Sequence, residues 1–140
     1  MSTPSISVLI VDDEEPFLDL LQKVISQEGY AVETANDGVA AINKLQSKSY
    51  DLVLTDLKMP RVDGLEVLKF VKEHYFDTQV IMLTGVNDIS IAVECMKSGA
   101  FHFVTKPYGV PELLAVVERA LERKKLAIEN KVLKAELSRH

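Results

Sequence analysis

Five short apolar runs rich in branched residues, each followed by a stretch with helical spacing, constrain this chain more than any other feature. The runs are Ile6 to Val11, Ala31 to Ala35, Leu52 to Thr55, Val80 to Leu83 and Phe101 to Thr105. Apolar residues recur at steps of three and four in between: Phe17, Leu20, Leu21, Val24 and Ile25; then Val39, Ala40, Ile42 and Leu45; then Leu65, Val67, Leu68 and Val71; then Ile89, Ala92, Val93 and Met96. Leu113, Leu114, Val117, Ala120 and Leu121 follow the last run. Strand and helix alternating five times call for parallel strands joined by crossover helices. Several runs are continuously apolar, as expected where both faces of a sheet are covered. The expected class is therefore α/β, a doubly wound, five-stranded parallel sheet with helices on both faces.

Local punctuation agrees with these boundaries. Pro16 suits the first turn of a helix, and Gly29 and Gly99 follow periodic runs where a left-handed cap is wanted. Pro60 and Gly64 bracket the loop after the third run, and Pro107, Gly109 and Pro111 break the chain after the fifth. With 140 residues, 47% of them hydrophobic, there is material for one core and one domain. The formal net charge of -5 argues against whole-surface attraction to nucleic acid or to an anionic membrane. Cys95 alone makes no internal disulfide and leaves cysteine-based zinc sites short of ligands; its place in an apolar stripe predicts a core residue. His74, His102 and His140 show no metal spacing. No signal-peptide pattern is present and no apolar run approaches the ~20 residues that span a bilayer, so the expected setting is the cytoplasm.

In an open parallel sheet, ligands and reacting groups collect at the carboxyl ends of the strands, near the point where strand order reverses. The polar residues at those ends are Asp12, Asp13 and Glu14, then Asp56, Thr84 and Lys106. Taken singly, each fits an ordinary role. Asp12 to Glu15 before Pro16 suits a helix start, Asp56 an Asx turn, Thr84 a plain strand end and Lys106 a solvated surface. Taken jointly, four strands would have to place polar residues at the same end by accident. Clustered carboxylates raise one another's proton affinity unless a cation neutralises them. Mg2+ takes oxygen ligands and commonly uses one or two carboxylates plus a phosphate oxygen, which suits Asp12, Asp13 and Asp56. With Lys106 as a fixed cation and Thr84 as a donor, these are the parts for holding a phosphoryl group around a carboxylate nucleophile.

The runs Val8-Leu9-Ile10-Val11-Asp12-Asp13-Glu14, Leu54-Thr55-Asp56-Leu57-Lys58-Met59-Pro60 with Gly64, Met82-Leu83-Thr84-Gly85 and Val104-Thr105-Lys106-Pro107 resemble the receiver domain of two-component response regulators. The resemblance spans roughly residues 5 to 122. It implies the strand order 2-1-3-4-5, which the family shares with flavodoxin. It also implies that Asp56 is the phosphoacceptor, charged by a sensor histidine kinase or by a small donor such as acetyl phosphate. Asp12 and Asp13 would hold Mg2+ together with Asp56 and the backbone carbonyl of Lys58. Thr84 and Lys106 would bind phosphoryl oxygens, the Lys106-Pro107 peptide would be cis, and Phe103 would be the switch aromatic that turns inward as Thr84 moves.

That switch has a physical basis. A phosphoryl group adds about two negative charges and three acceptor oxygens beside a hydroxyl and a lysine, drawing the Thr84 loop inward. The opened space admits an aromatic ring, and the surface formed by the fourth helix, fifth strand and fifth helix rearranges. Plain core packing is the competing expectation for Phe103, with Phe101 expected on the same strand face. Lys58 and Arg61 either meet the kinase or are simply solvated. The chain is not expected to be an enzyme. A stand-alone receiver that docks onto a protein is one alternative. An Mg2+-dependent aspartyl phosphatase is another, disfavoured because Lys58 stands where such chemistry wants a second acid.

From Glu118 to His140 there are seven basic residues against four acidic ones and no Gly or Pro. The fifth helix is therefore expected to run beyond the domain, giving a receiver over residues 1–122 and a helical extension over 123–140. Leu126, Asn130, Leu133 and Leu137 form one candidate coiled-coil stripe and Leu121, Ile128, Val132 and Ala135 a competing one. A homodimer through this helix or the switch surface is expected, as is an output domain beyond this chain. The stretch Met82 to Tyr108, with Arg119-Ala120-Leu121 and the Glu129-Asn130 region, is similar to receivers of the nitrogen-regulator type, which precede an ATPase that activates sigma-54 RNA polymerase and so control transcription.

Overall fold

The computed structural model describes residues 6–137, with side chains from residue 6 to residue 126. Five strands, β1 (Ser7–Val11), β2 (Ala31–Ala35), β3 (Leu52–Asp56), β4 (Gln79–Thr84) and β5 (His102–Thr105), alternate with α1 (Glu15–Ser26), α2 (Gly38–Ser47), α3 (Gly64–His74), α4 (Ile89–Lys97) and α5 (Val110–Leu137). A single 3-10 turn, Val86–Asp88, precedes α4. All strand pairs are parallel, in the order β2-β1-β3-β4-β5. Strand order thus reverses between β1 and β3, which opens a crevice at their carboxyl ends.

Alternation along each strand sorts the core into two layers. Leu9, Val11, Val53, Val80 and Met82 face α2, α3 and α4, packing with Ala41, Leu45, Val67, Leu68, Val71 and Cys95. Val8, Ile10, Leu52, Leu54, Ile81 and Leu83 face α1 and α5, packing with Leu18, Leu21, Ile25, Leu113, Val117 and Ala120. Both faces are covered, so β3 and β4 are buried along their whole length and carry no polar alternation. At roughly 1.5–3 kcal/mol for each large apolar side chain removed from water, these two layers supply the main drive for folding.

The local signals act as expected. Pro16 occupies the first turn of α1, and Gly29 and Gly99 have φ of 92° and 107°. Asp37 and Asp63 cap α2 and α3 by accepting from the Ala40 and Glu66 amides. One expectation fails. Phe103 packs on the layer of α2 to α4, whereas Phe101 packs on the α1 and α5 layer. Phe101 lies before β5 begins, so the two-residue strand period does not extend to it.

α5 continues without interruption to Leu137. Among its described side chains the last core residue is Ala120, and Lys124 then pairs with Asp51, which also accepts from the Ser7 amide at 2.8 Å. Leu126 is exposed, and the orientations of Ile128, Asn130, Val132, Leu133, Ala135 and Leu137 lie outside the described side chains, as does His140. Among the described residues, no helix is long and apolar enough to cross a membrane.

Candidate functional site

The carboxyl ends of β1, β3, β4 and β5 deliver the site. Asp12 follows β1 and is wholly buried, because its amide donates to Ala35 O (3.2 Å) and draws the chain in against β2. Its Oδ1 accepts from the Glu14 amide at 2.9 Å, which turns the backbone into α1 and leaves Asp13 exposed. Asp56 ends β3 and is only 7% exposed. Gly64 accounts for how it can sit so deep. A Cβ on Gly64 would lie 2.3 Å from the carbonyl oxygen of Asp56, so the start of α3 closes against β3 only because that residue has no side chain.

Oxygen atoms of Asp12, Asp13 and Asp56 all lie within 4.8 Å of one another, the only group of potential metal-binding side chains of this kind among the described residues. Lys106, on the link after β5, reaches across the strand ends. Its Nζ donates to Asp12 Oδ2 at 3.1 Å and stands 3.5 Å from Asp56 Oδ2. The ammonium also lies 4.6 Å above the centre of the Phe17 ring, a cation–π contact on its apolar side. The Lys106–Pro107 peptide is cis.

The electrostatics follow from this crowding. Burial, aided by the charges of Asp12 and Asp13, raises the pKa of Asp56 from 3.8 to about 7, although Lys106 pulls the other way. Burial works against the Lys106 ammonium too, but Asp56 and Asp12 outweigh it and hold its pKa above the ordinary value. The donor set therefore fits Mg2+ on chemical grounds: hard oxygen atoms only, converging, and carrying mutual repulsion that a divalent cation would remove.

Thr84 ends β4, fully buried, and its hydroxyl donates to the carbonyl of Gly85 at 3.3 Å. It lies in register with Thr105, two residues from Phe103. Phe103 is half-buried and lines a groove of about 450 Å3 with Val86, Lys106 and Arg119, between β5, the β4–α4 connection and α5. Lys58 and Arg61 are paired: Lys58 Nζ lies 2.8 Å from Asp88, and Arg61, at a left-handed φ of 69°, lies 3.2 Å from Asp37.

Two neighbours escape sequence reasoning. Phe17 belongs to the apolar stripe of α1, with nothing to connect it to a lysine far along the chain. Tyr108, two residues past Lys106, packs against Phe17 with ring centres 6.5 Å apart.

The chain is 35% identical over 131 residues to the regulatory protein AtoC of Escherichia coli, covering 94% of this chain and 28% of AtoC. It is 39% identical over 118 residues to the DNA-binding transcriptional regulator NtrC of Proteus hauseri, covering 82% of this chain and 24% of NtrC. It thus spans less than a third of these relatives. Among solved structures, NtrX from Brucella abortus superposes with a TM-score of 0.87 at 34% identity, covering 93% of this chain and 30% of NtrX. A response regulator receiver domain protein from Clostridium thermocellum superposes with a TM-score of 0.83 at 32% identity, covering 87% of this chain and 98% of that one. Residues 8–118 match the model of the response regulator receiver domain, and the chain belongs to that family.

Proposed function

We propose that this domain is a phosphorylation-driven switch in which Asp56 accepts a phosphoryl group from a sensor histidine kinase. The observation that carries the reading is the convergence of Lys106 on Asp12 and Asp56, at 3.1 and 3.5 Å, at the buried crevice where strand order reverses. A buried carboxylate flanked by a fixed cation and two further acids suits attack on phosphorus and sharing of the resulting charge.

In the reaction, an Asp56 carboxylate oxygen forms the new O–P bond while the P–N bond to the donor histidine breaks and the imidazole leaves. With acetyl phosphate the acetate leaves instead. Mg2+, held by Asp12, Asp13, Asp56 and the carbonyl of Lys58, would supply Lewis-acid neutralisation of the phosphoryl oxygens and of the acidic cluster. Asp56 itself must be ionised to attack, and burial, which pushes its pKa up to about 7, works against that ionisation in the metal-free protein. Lys106 holds the phosphoryl oxygens by charge. Thr84, whose hydroxyl is committed only to the long 3.3 Å contact with Gly85, can be recruited as a donor. Lys106 and Thr84 are binding groups here and turn over no external substrate.

The same geometry supports a readout. A Thr84 drawn toward Asp56 vacates space next to β5, and the groove beside Phe103 allows its ring to turn. The rearranged surface is that of α4, β5 and α5. A receiver over residues 1–122 with an extension over 123–140 then passes the change to an output, with dimerisation along α5. The chain covers 28% of AtoC but 53% of the response regulator MprA of Mycobacterium ulcerans, so domains of this kind occur in regulators of different size. The sigma-54 activators are the output class we favour, and the cytoplasm is the setting.

The test is to incubate the protein with Mg2+ and acetyl phosphate and measure intact mass. One phosphate adduct that is absent in Asp56→Asn supports the assignment. An adduct of equal yield in that variant overturns it.

A further inference from the structure

The short link from Pro107 to Gly109 carries one polar side-chain atom, which the site described above does not use. Tyr108 packs its ring 6.5 Å from that of Phe17, and the same Phe17 ring carries the Lys106 ammonium 4.6 Å from its centre. Tyr108 is thereby part of the wall behind Lys106, on the α1 and α5 side of the sheet. Its ring is anchored by that packing, yet its hydroxyl oxygen is buried and has no hydrogen-bond partner among the described residues. A buried hydroxyl in that condition carries the desolvation penalty of a polar group with no compensating bond. Phenylalanine would fill the same ring volume without that penalty.

The field around the hydroxyl identifies what it is suited to meet. Apart from burial, the groups that push its pKa up are Asp12, Asp56 and Glu14, the carboxylates of the crevice itself. Such a potential favours the phenol as a neutral donor with its O–H directed toward the acids. Loading Asp56 strengthens this attraction, because a phosphoryl group brings up to two negative charges and three acceptor oxygens to a place that held a single carboxylate.

We propose that Tyr108 is a further residue of the phosphoryl pocket, its buried hydroxyl donating a hydrogen bond to the anionic group assembled on Asp56 and so favouring the loaded state. The inference rests on Asp56 as the acceptor. It assigns to the link after β5 a second contact besides Lys106: the lysine supplies charge, and the tyrosine supplies a directional donor from the α1 side. It also gives the Phe17 ring a task, since that ring touches both the lysine, through its face, and the tyrosine, through a tilted contact.

The test uses beryllium fluoride with Mg2+, which adds to a carboxylate as a phosphoryl mimic, titrated into the native protein and into Tyr108→Phe by calorimetry. Thermal melting of the unloaded proteins runs in parallel. The expected result is binding weakened about tenfold in Tyr108→Phe, the scale of one hydrogen bond to a charged group, with unloaded melting equal or higher because an unpaired hydroxyl is gone. A residue that only packs would leave the affinity unchanged, since phenylalanine keeps the ring, and that result overturns the proposal. So does weaker binding matched by an equal loss of unloaded stability. The outcomes separate the two roles. A native protein that takes no phosphate adduct sinks the acceptor role of Asp56, whereas a normal adduct with unchanged affinity in Tyr108→Phe sinks only the role of Tyr108.

Discussion

Asp56→Asn should make the metal-free protein more stable, and the gain should depend on pH in a defined direction. In the unfolded chain Asp56 ionises near 3.8, and in the fold near 7. Between those values the folded protein holds a proton that the unfolded chain has already released, so stability falls as pH rises from about 4 to about 7 and the full cost is present above that. At about 1.4 kcal/mol per tenfold change in proton affinity, the cost reaches about 4 kcal/mol at pH 8 as a ceiling. Asparagine keeps the shape of the side chain and cannot ionise. Lys106 is not orphaned by the change, because Asp12 remains 3.1 Å away. The assay is thermal or urea unfolding of both proteins in EDTA at pH 5 and pH 8. The variant should melt on the order of 10 °C above the native protein at pH 8, with the gap shrinking as pH falls through 7. Adding Mg2+ at pH 8 should raise the native protein more than the variant and narrow the gap. Equal melting at pH 8, or a gap that ignores pH, would refute the claim that buried like charges strain this crevice.

Lys106→Met leaves Asp12 and Asp56 facing each other without their cation, so urea unfolding at neutral pH in EDTA should show a loss of about 3 kcal/mol, smaller at pH 5 where Asp56 carries its proton. Gly64→Ala sets a Cβ 2.3 Å from the Asp56 carbonyl and 2.9 Å from the Leu57 backbone, so it should cost about 3 kcal/mol or more in the same assay and slow phosphate uptake by displacing Asp56. Truncation after Leu126 keeps the Lys124 pair with Asp51 and removes the rest of α5, so light scattering should show a dimer in the full chain and a monomer in the shortened one. Two monomers would end the dimerising-helix proposal.

The parallel sheet was readable because burial on both faces turns β3 and β4 into unbroken apolar runs, too short for helices and bounded by turn residues. The crevice was readable because polar residues stand at the carboxyl end of each of four strands, and topology alone brings such ends together. Pairings across the sheet were not readable. Topology places Lys106 beside Asp12, but nothing local in the sequence joins Phe17 to Tyr108 or Lys124 to Asp51, since each depends on how two distant elements close against one layer. Phe101 and Phe103 show the limit on a smaller scale. The two-residue period assigns them one face only if both lie in the strand, and β5 starts between them.

The claim at the centre of this account is that the buried carboxylate ending β3 is the atom group that receives phosphate. Borohydride converts an acyl phosphate on aspartate to homoserine, so protein loaded with acetyl phosphate and Mg2+, then reduced and digested, records the acceptor as a changed residue. The account predicts homoserine at position 56 and nowhere else. Homoserine at Asp12 or Asp13, or loaded protein with residue 56 intact, would contradict it.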